Sequence, residues 1–287
     1  MGRFSVVLAM KKYHPEVQGS DEQGFTLVEV LVAIGISGFI LAGLYTSFLA
    51  QQKSYFVNER VAEMQQNLRS AMLSITYHTR MAGFDPTNNT GARILMAGPY
   101  WFRFQEDLNK DGVNDNKENI TYGFSTASGF DTDGNGKADS GAANLGMATG
   151  TAATPSGFDA IAENIEAVGF GYAYENGGNT VWAIDSGSGA LDLNLDRNGD
   201  GLIDKDDDQD GNNIIDSSDY SGATITAVPI SSIKAVKVWI LARSSLPDRD
   251  FTDTTTYVVG RNIITPTGDD THYYHRLLVT TINLRNM

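Results

Sequence analysis

The chain has 287 residues, no cysteine and a formal net charge of −14. The lack of cysteine excludes a disulfide-stapled fold, so something else must pin its loops. The acidic balance argues against a nucleic-acid surface, which needs a basic footprint. Most of the acidity sits in three segments, 107–118, 131–139 and 192–219, the last holding ten acidic side chains against Arg197 and Lys205.

The first 24 residues are polar and carry Arg3, Lys11 and Lys12; Met10-Lys11-Lys12 also reads as a possible second translation start. From Phe25 to Ala50 only Glu29 is charged. As a helix at ~1.5 Å per residue this stretch is about 39 Å long, against a hydrocarbon core of ~30 Å, which predicts a membrane-spanning helix. The basic residues before it keep the N-terminus inside the cell and place the body outside. A carboxylate in hydrocarbon costs roughly 2–3 kcal/mol, so Glu29 requires a partner. The plausible cleavage position, after Gly24, precedes the apolar stretch, unlike that of a secretory signal peptide. Cutting there leaves the anchor on the mature protein.

Gly24 at the cut, Phe25 as the new N-terminus and Glu29 at the fifth mature position resemble the leader of type IV pilins and type II secretion pseudopilins. The resemblance implies cleavage by a prepilin peptidase, N-methylation of Phe25, and a filament in which Glu29 offsets the N-terminal ammonium of a neighbouring subunit. The four-residue spacing of Phe25 and Glu29 suits this, because it places amine and carboxylate on one helix face. Two features depart from the family pattern. Asp21-Glu22-Gln23 stands where lysine or arginine is usual, and Thr46 stands where major pilins often carry proline. Helix weakening then falls to Gly35, Gly38 and Gly43, each costing ~1 kcal/mol relative to alanine. The missing proline leans towards a minor subunit.

Past the membrane, Val57, Val61, Met64, Leu68, Met72 and Ile75 recur at helical steps and predict an amphipathic helix lying on a sheet, stopped by Gly83 and Asp85-Pro86. Strand signals follow at 100–105 and 120–124, as a hairpin around the first acidic loop. They recur at 165–174 and 180–184 around Asn176-Gly177-Gly178, then at 233–242, 255–259 and 273–284. The small-residue stretch 140–157 reads as a loop. Met81-Ala82-Gly83-Phe84-Asp85, the run Ala162–Val168 leading into Phe170 and Tyr172, and Arg276 with Leu284-Arg285-Asn286 resemble the PilW-type minor pilins.

Asp107, Asn109, Asp111, Gly112, the Val113 carbonyl, Asp115 and Glu118 match a twelve-residue calcium loop: alternate oxygens curl around a hard cation and a terminal acid closes bidentately. Asp196, Asn198, Asp200, Ile203, Asp204 and Asp207 recur twelve residues later as Asp208, Asp210, Asn212, Ile215, Asp216 and Asp219. This tandem pair resembles dockerin-type or thrombospondin-type calcium loops, with isoleucine at position 8 expected to pack inward. Asp192 and Asn194 offer an alternative frame ending at Asp196. Asp131, Asp133, Asn135 and Asp139 start a further loop that lacks an acid at position 12, which is Ala142. Without neutralisation, so many acids would repel one another. Calcium is therefore the expected cofactor, replacing the absent disulfides.

His272 and His275 read as residues of an ordinary strand pointing to opposite faces, and His78 as packing or surface. No nucleophile elbow, phosphate loop or zinc spacing is present, so no enzyme is expected. The expected fold is α+β, a type IV pilin fold: a long N-terminal helix packed on an antiparallel β-sheet head with calcium-binding loops. Its parts are a leader (1–24), a transmembrane and filament-core helix (25–52), an amphipathic helix (53–83) and a β-rich head (84–287). The expected function is that of a minor pilin priming or capping pilus assembly. It would reside in the inner membrane with its head in the periplasm, then in the extracellular pilus among other pilins and minor pilins. A type II secretion pseudopilin and a calcium-dependent adhesin at the pilus tip remain alternatives.

Overall fold

The computed structural model describes residues 24–125, 128–150, 157–222 and 225–287. The leader 1–23 and the 151–156 part of the expected loop lie outside the described residues. A single helix, α1 (Leu27–Met81), runs unbroken for 55 residues, through Gly35, Gly38 and Gly43. The chain divides into two compact units, one ending at Tyr55 and the other comprising Phe56–Met287.

In the first unit, apolar side chains from Phe25 to Tyr55 are exposed all round the helix, which is long and apolar enough to cross a membrane. In the second unit, α1 buries Met64, Leu68, Ala71, Met72, Ile75 and Thr79, one stripe at three- and four-residue steps. That stripe shares a core with Phe102, Phe104, Tyr122, Phe170 and Tyr172 of the sheet. The helix stops where Gly83 turns to φ 74°, and a Cβ there would lie 2.6 Å from the Met287 sulfur. Glycine is thus required both for the turn and for the close passage of the C-terminus.

The strands are β1 (Ile94–Ala97), β2 (Phe102–Gln105), β3 (Asn119–Phe124), β4 (Ala143–Thr149), β5 (Asp159–Asn176), β6 (Asn179–Ile184), β7 (Ala190–Leu191), β8 (Leu193–Asn194), β9 (Val228–Pro229), β10 (Ala235–Arg243), β11 (Tyr257–Val259), β12 (Asn262–Ile264) and β13 (His275–Asn283). The main sheet is antiparallel in the order β1-β2-β3-β4-β5-β10-β13, with β6 on β5 and β8 on β6. β11–β12 and β7–β9 form separate two-stranded ribbons. The expected hairpins are present: β2 pairs β3 across the first acidic loop, and β5 pairs β6 across Gly177-Gly178, both at positive φ.

Three expectations are corrected. The stretch read as a loop contains β4, a strand seated between β3 and β5. Its alanines and Gly146 carry little strand propensity; close packing selects them, since a Cβ on Gly146 would meet Phe158 at 2.7 Å. His272 is not on a strand: it ends the 3₁₀ turn Gly268–His272, and only His275 belongs to β13. His78 has an acid partner distant in sequence, its Nδ1 lying 2.9 Å from Oε1 of the buried Glu106.

Candidate metal centres and assembly motif

Four connections of the head adopt one conformation. The 107–118 loop joins β2 to β3, the 131–139 loop lies between β3 and β4, and the tandem loops 196–207 and 208–219 lie between β8 and β9. In each, positions 4 and 6 have positive φ: Lys110 and Gly112, Gly134 and Gly136, Gly199 and Gly201, Gly211 and Asn213. These left-handed residues reverse the chain twice within one turn and aim successive N–H groups inward.

The carboxylate at position 1 then accepts from the N–H of position 6 in every loop. The distances are Gly112 to Asp107 at 3.3 Å, Gly136 to Asp131 at 2.9 Å, Gly201 to Asp196 at 3.0 Å and Asn213 to Asp208 at 2.9 Å. The side chain at position 3 accepts from the N–H of position 5: Asp111 to Asn109, Asn135 to Asp133, Asp200 to Asn198 and Asn212 to Asp210. The position 5 oxygen accepts from the N–H of position 7, at 2.8 Å in all four loops.

The closing acid accepts from both ends of its loop. Glu118 binds the N–H groups of Asn109 and Asp115; Asp207 binds those of Arg197, Asn198 and Asp204; Asp219 binds those of Gln209, Asp210 and Asp216. In the 131–139 loop Asp139 takes this part, accepting from the Thr132 N–H at 3.0 Å, so that loop closes at position 9 without a twelfth-position acid. Asp192 instead caps the Ser186 backbone, and Asn194 holds the Asp196 backbone.

Three of the four closing acids, Glu118, Asp207 and Asp219, together with the opening Asp107 and Asp131, are no more than 4% exposed, whereas Asp139 is exposed. Carboxylate oxygens of Asp131, Asp133 and Asp139 lie within 4.8 Å of one another, as do those of Asp208, Asp210 and Asp219. Burial pushes the carboxyls of Asp131 and Asp207 above their ordinary value despite the N–H groups they accept from. A divalent cation removes such a penalty directly, and alternating carboxylate and amide oxygens are the donor set that calcium takes. Ile215 is fully buried as expected of position 8, whereas Ile203 is only partly covered.

Several contributors escape the loop pattern. Arg197, at position 2 of the first tandem loop, is buried and donates to the Asp219 and Tyr220 carbonyls, fastening one tandem loop to the other. Asn262 of β12 donates to the Asn135 carbonyl at 2.7 Å and accepts from the Tyr100 hydroxyl. The Ile215 N–H donates to the Arg261 carbonyl, and the Ile263 N–H to the Asn213 carbonyl. The β11–β12 ribbon therefore touches both the 131–139 loop and the second tandem loop.

At the N-terminus, Thr26 and Glu29 form a capping box. The Thr26 N–H and hydroxyl donate to Glu29 Oε2 at 2.9 and 2.8 Å, and the Glu29 N–H returns to the Thr26 hydroxyl. Thr26-x-x-Glu29 is itself a sequence signature of a helix start. It gives the carboxylate a local partner in the single chain, while Phe25 stands exposed beside it.

The family description "Type IV Pilus-assembly protein W" matches residues 131–286, and "Prokaryotic N-terminal methylation motif" matches residues 19–45. The chain belongs to the type IV pilus-assembly protein W family, a family of minor pilins. It is 29% identical over 107 residues to prepilin peptidase-dependent protein B of Escherichia coli K12, a match covering 36% of this chain and 57% of that relative's length. A type IV-like pilin of Thermus thermophilus aligns in structure over 77% of this chain and 97% of its own, with a TM-score of 0.39 and 14% identity.

Proposed function

We propose that this chain is a low-abundance pilin that primes or caps a type IV pilus, with a head stapled by calcium in place of disulfides. The observation that carries the assembly role is the first unit. Its apolar side chains are exposed around the whole helix, with one acid four residues from the new N-terminus. Such a helix is stable in lipid or among other helices, and not in water. In this reading a prepilin peptidase cuts after Gly24 and Phe25 is N-methylated. The protein waits in the inner membrane with its head in the periplasm. The capping box supplies a local partner for Glu29 in that waiting state; the ammonium of a neighbouring pilin replaces it in the filament.

Asp107, Asn109, Asp111, Val113, Asp115 and Glu118 would hold one calcium ion, with Asp196, Asn198, Asp200, Asp204 and Asp207 holding a second. Asp208, Asp210, Asn212, Asp216 and Asp219 would hold a third, and Asp131, Asp133, Asn135 and Asp139 a fourth. The shared backbone of the four loops, and the buried closing acids of three of them, support the assignment.

Deletion of the gene, with counting of surface fibres and measurement of attachment and protein secretion, tests the role. Priming predicts sparse fibres of normal width, restored by the wild-type chain. Normal fibre numbers with lost attachment would favour the tip adhesin, and a secretion defect with normal fibres the pseudopilin.

A further inference from the structure

We propose that His275 is held as an imidazolium between Glu166 and Asp253, forming a pH-sensitive latch that fastens the start of the C-terminal edge strand to the sheet and to the 248–256 loop. The geometry is that of one cation shared by two buried acids. The His275 ring is fully enclosed; its Nδ1 lies 2.9 Å from Asp253 Oδ2 and its Nε2 lies 3.1 Å from Glu166 Oε2. The first contact is a hydrogen bond. In the second, neither atom has a hydrogen-bond partner, so charge pairing holds it. A neutral imidazole has one N–H and would present a lone pair to one of the two carboxylates. Against two ionised carboxylates, only the doubly protonated ring satisfies both.

Glu166 comes from β5 and Asp253 from the 248–256 loop. The Tyr257 hydroxyl of β11 donates to Asp253 Oδ2 at 2.8 Å, and within the loop the Thr255 N–H donates to Asp253 Oδ1 at 2.9 Å. Arg243 of β10 faces His275 in the β10–β13 register, but its guanidinium pairs with Asp270 at 2.7 Å and stacks on Tyr273. His272 is turned to the Phe251 carbonyl, and Asp248 accepts from the Tyr274 hydroxyl. Around this corner Asp253, Asp270 and Asp248 each bind a different group, and His275 faces Glu166 as well.

The latch sits where it matters mechanically. β13 is an edge of the main sheet, and its first residue carries the contact. The same contact ties in the loop leading to the β11–β12 ribbon, which touches two of the acidic loops. It is a second non-covalent staple, distinct from any metal.

Burial pulls the His275 imidazole down, but Glu166 and Asp253 at its two nitrogens outweigh burial and hold it above its ordinary value of 6.5. Burial raises Asp253, but Thr255, Tyr257 and His275 outweigh it and leave the carboxyl below its ordinary 3.8. The signs follow. The histidine contribution is fully present below the unfolded value and is lost as pH rises through the raised folded value. The Asp253 contribution is present above 3.8 and is lost as pH falls through the depressed folded value. The latch therefore closes in mildly acidic to neutral conditions and opens towards alkaline pH.

The test is nitrogen-15 NMR of the full-length chain in detergent, labelled at histidine, with chelator present so that the outcome is independent of calcium. His275→Gln assigns the signal among the four histidines. The expected result is a His275 ring protonated on both nitrogens at about pH 7, titrating above the ordinary ~6.5. Glu166→Gln should lower that midpoint. Wild-type unfolding temperature should fall as pH rises above the ordinary ~6.5, and His275→Phe should remove that component of the fall. A singly protonated ring at neutral pH, a midpoint at or below the ordinary value, or a midpoint indifferent to Glu166→Gln would overturn the proposal, and these readouts survive even if His275→Phe does not fold.

Discussion

Replacing Asp219 tests whether the acidic loops close around a cation. Its carboxylate is fully buried and accepts from the N–H groups of Gln209 at 2.7 Å, Asp210 at 3.3 Å and Asp216 at 2.8 Å. Asp219→Ala strands all three donors. Hydrogen bonds to a charged acceptor contribute roughly 1.5–3 kcal/mol each, but these share one carboxylate and do not add, so a loss of about 3–4 kcal/mol is expected without metal. Asp219→Asn keeps one carbonyl acceptor and should lose about 1–2 kcal/mol. Calcium separates the two effects. With sites of about 10⁻⁴–10⁻³ M affinity, ~5 mM calcium stabilises by about 1–2.3 kcal/mol per site. For a chain of this size that is roughly 2–9 °C in Tm per site. Alanine removes the closing ligand and asparagine removes its charge and bidentate grip, so both should lose most of one site's share of the calcium shift, whatever their metal-free stability. The assay is thermal unfolding of the full-length chain in detergent, followed by circular dichroism, in calcium and in chelator. Identical wild-type curves in the two buffers, or an undiminished calcium shift in Asp219→Asn, would refute the reasoning.

Ile75 is fully buried in the stripe between α1 and the sheet, so Ile75→Ala should cost about 2–5 kcal/mol in denaturant unfolding. Gly136 has φ 78°, and a Cβ there would run into the Tyr100 ring. Gly136→Ala should therefore cost more than about 2 kcal/mol, whereas Gly129→Ala, with positive φ but open space, should cost about 1 kcal/mol. Equal Tm losses in the two glycine variants would argue against the close approach of Tyr100.

Much of the architecture was legible because the signals were periodic or chemically specific. The stripe from Met64 to Ile75 shows a helix face directly, and the Asn176-Gly177-Gly178 turn marks the β5–β6 hairpin. The loop pattern located the acids and the glycine at position 6. The second left-handed residue, at position 4, went unread, although Gly134, Gly199 and Gly211 stand there and only Lys110 obscures it. What failed depended on partners remote in sequence. β4 is a strand because β3 and β5 flank it, which its alanines and glycine do not announce. His78 and Glu106 are 28 residues apart, and His275 and Glu166 are farther still. No local pattern encodes those pairs, so both histidines looked ordinary. The part Asp139 plays is not legible from the twelve-residue template, which has no place for a loop that closes at its ninth position.

In the proposed function, this chain enters a filament through its N-terminal helix and its lone acid. The most direct measurement expresses Glu29→Ala in place of the wild type. It follows the variant in inner membrane and sheared fibres, determines whether cleavage after Gly24 has occurred, and counts the fibres. The expected result is a cleaved, membrane-inserted protein, absent from the fibre fraction, in cells with few fibres. Fibres at wild-type number containing the variant would contradict it.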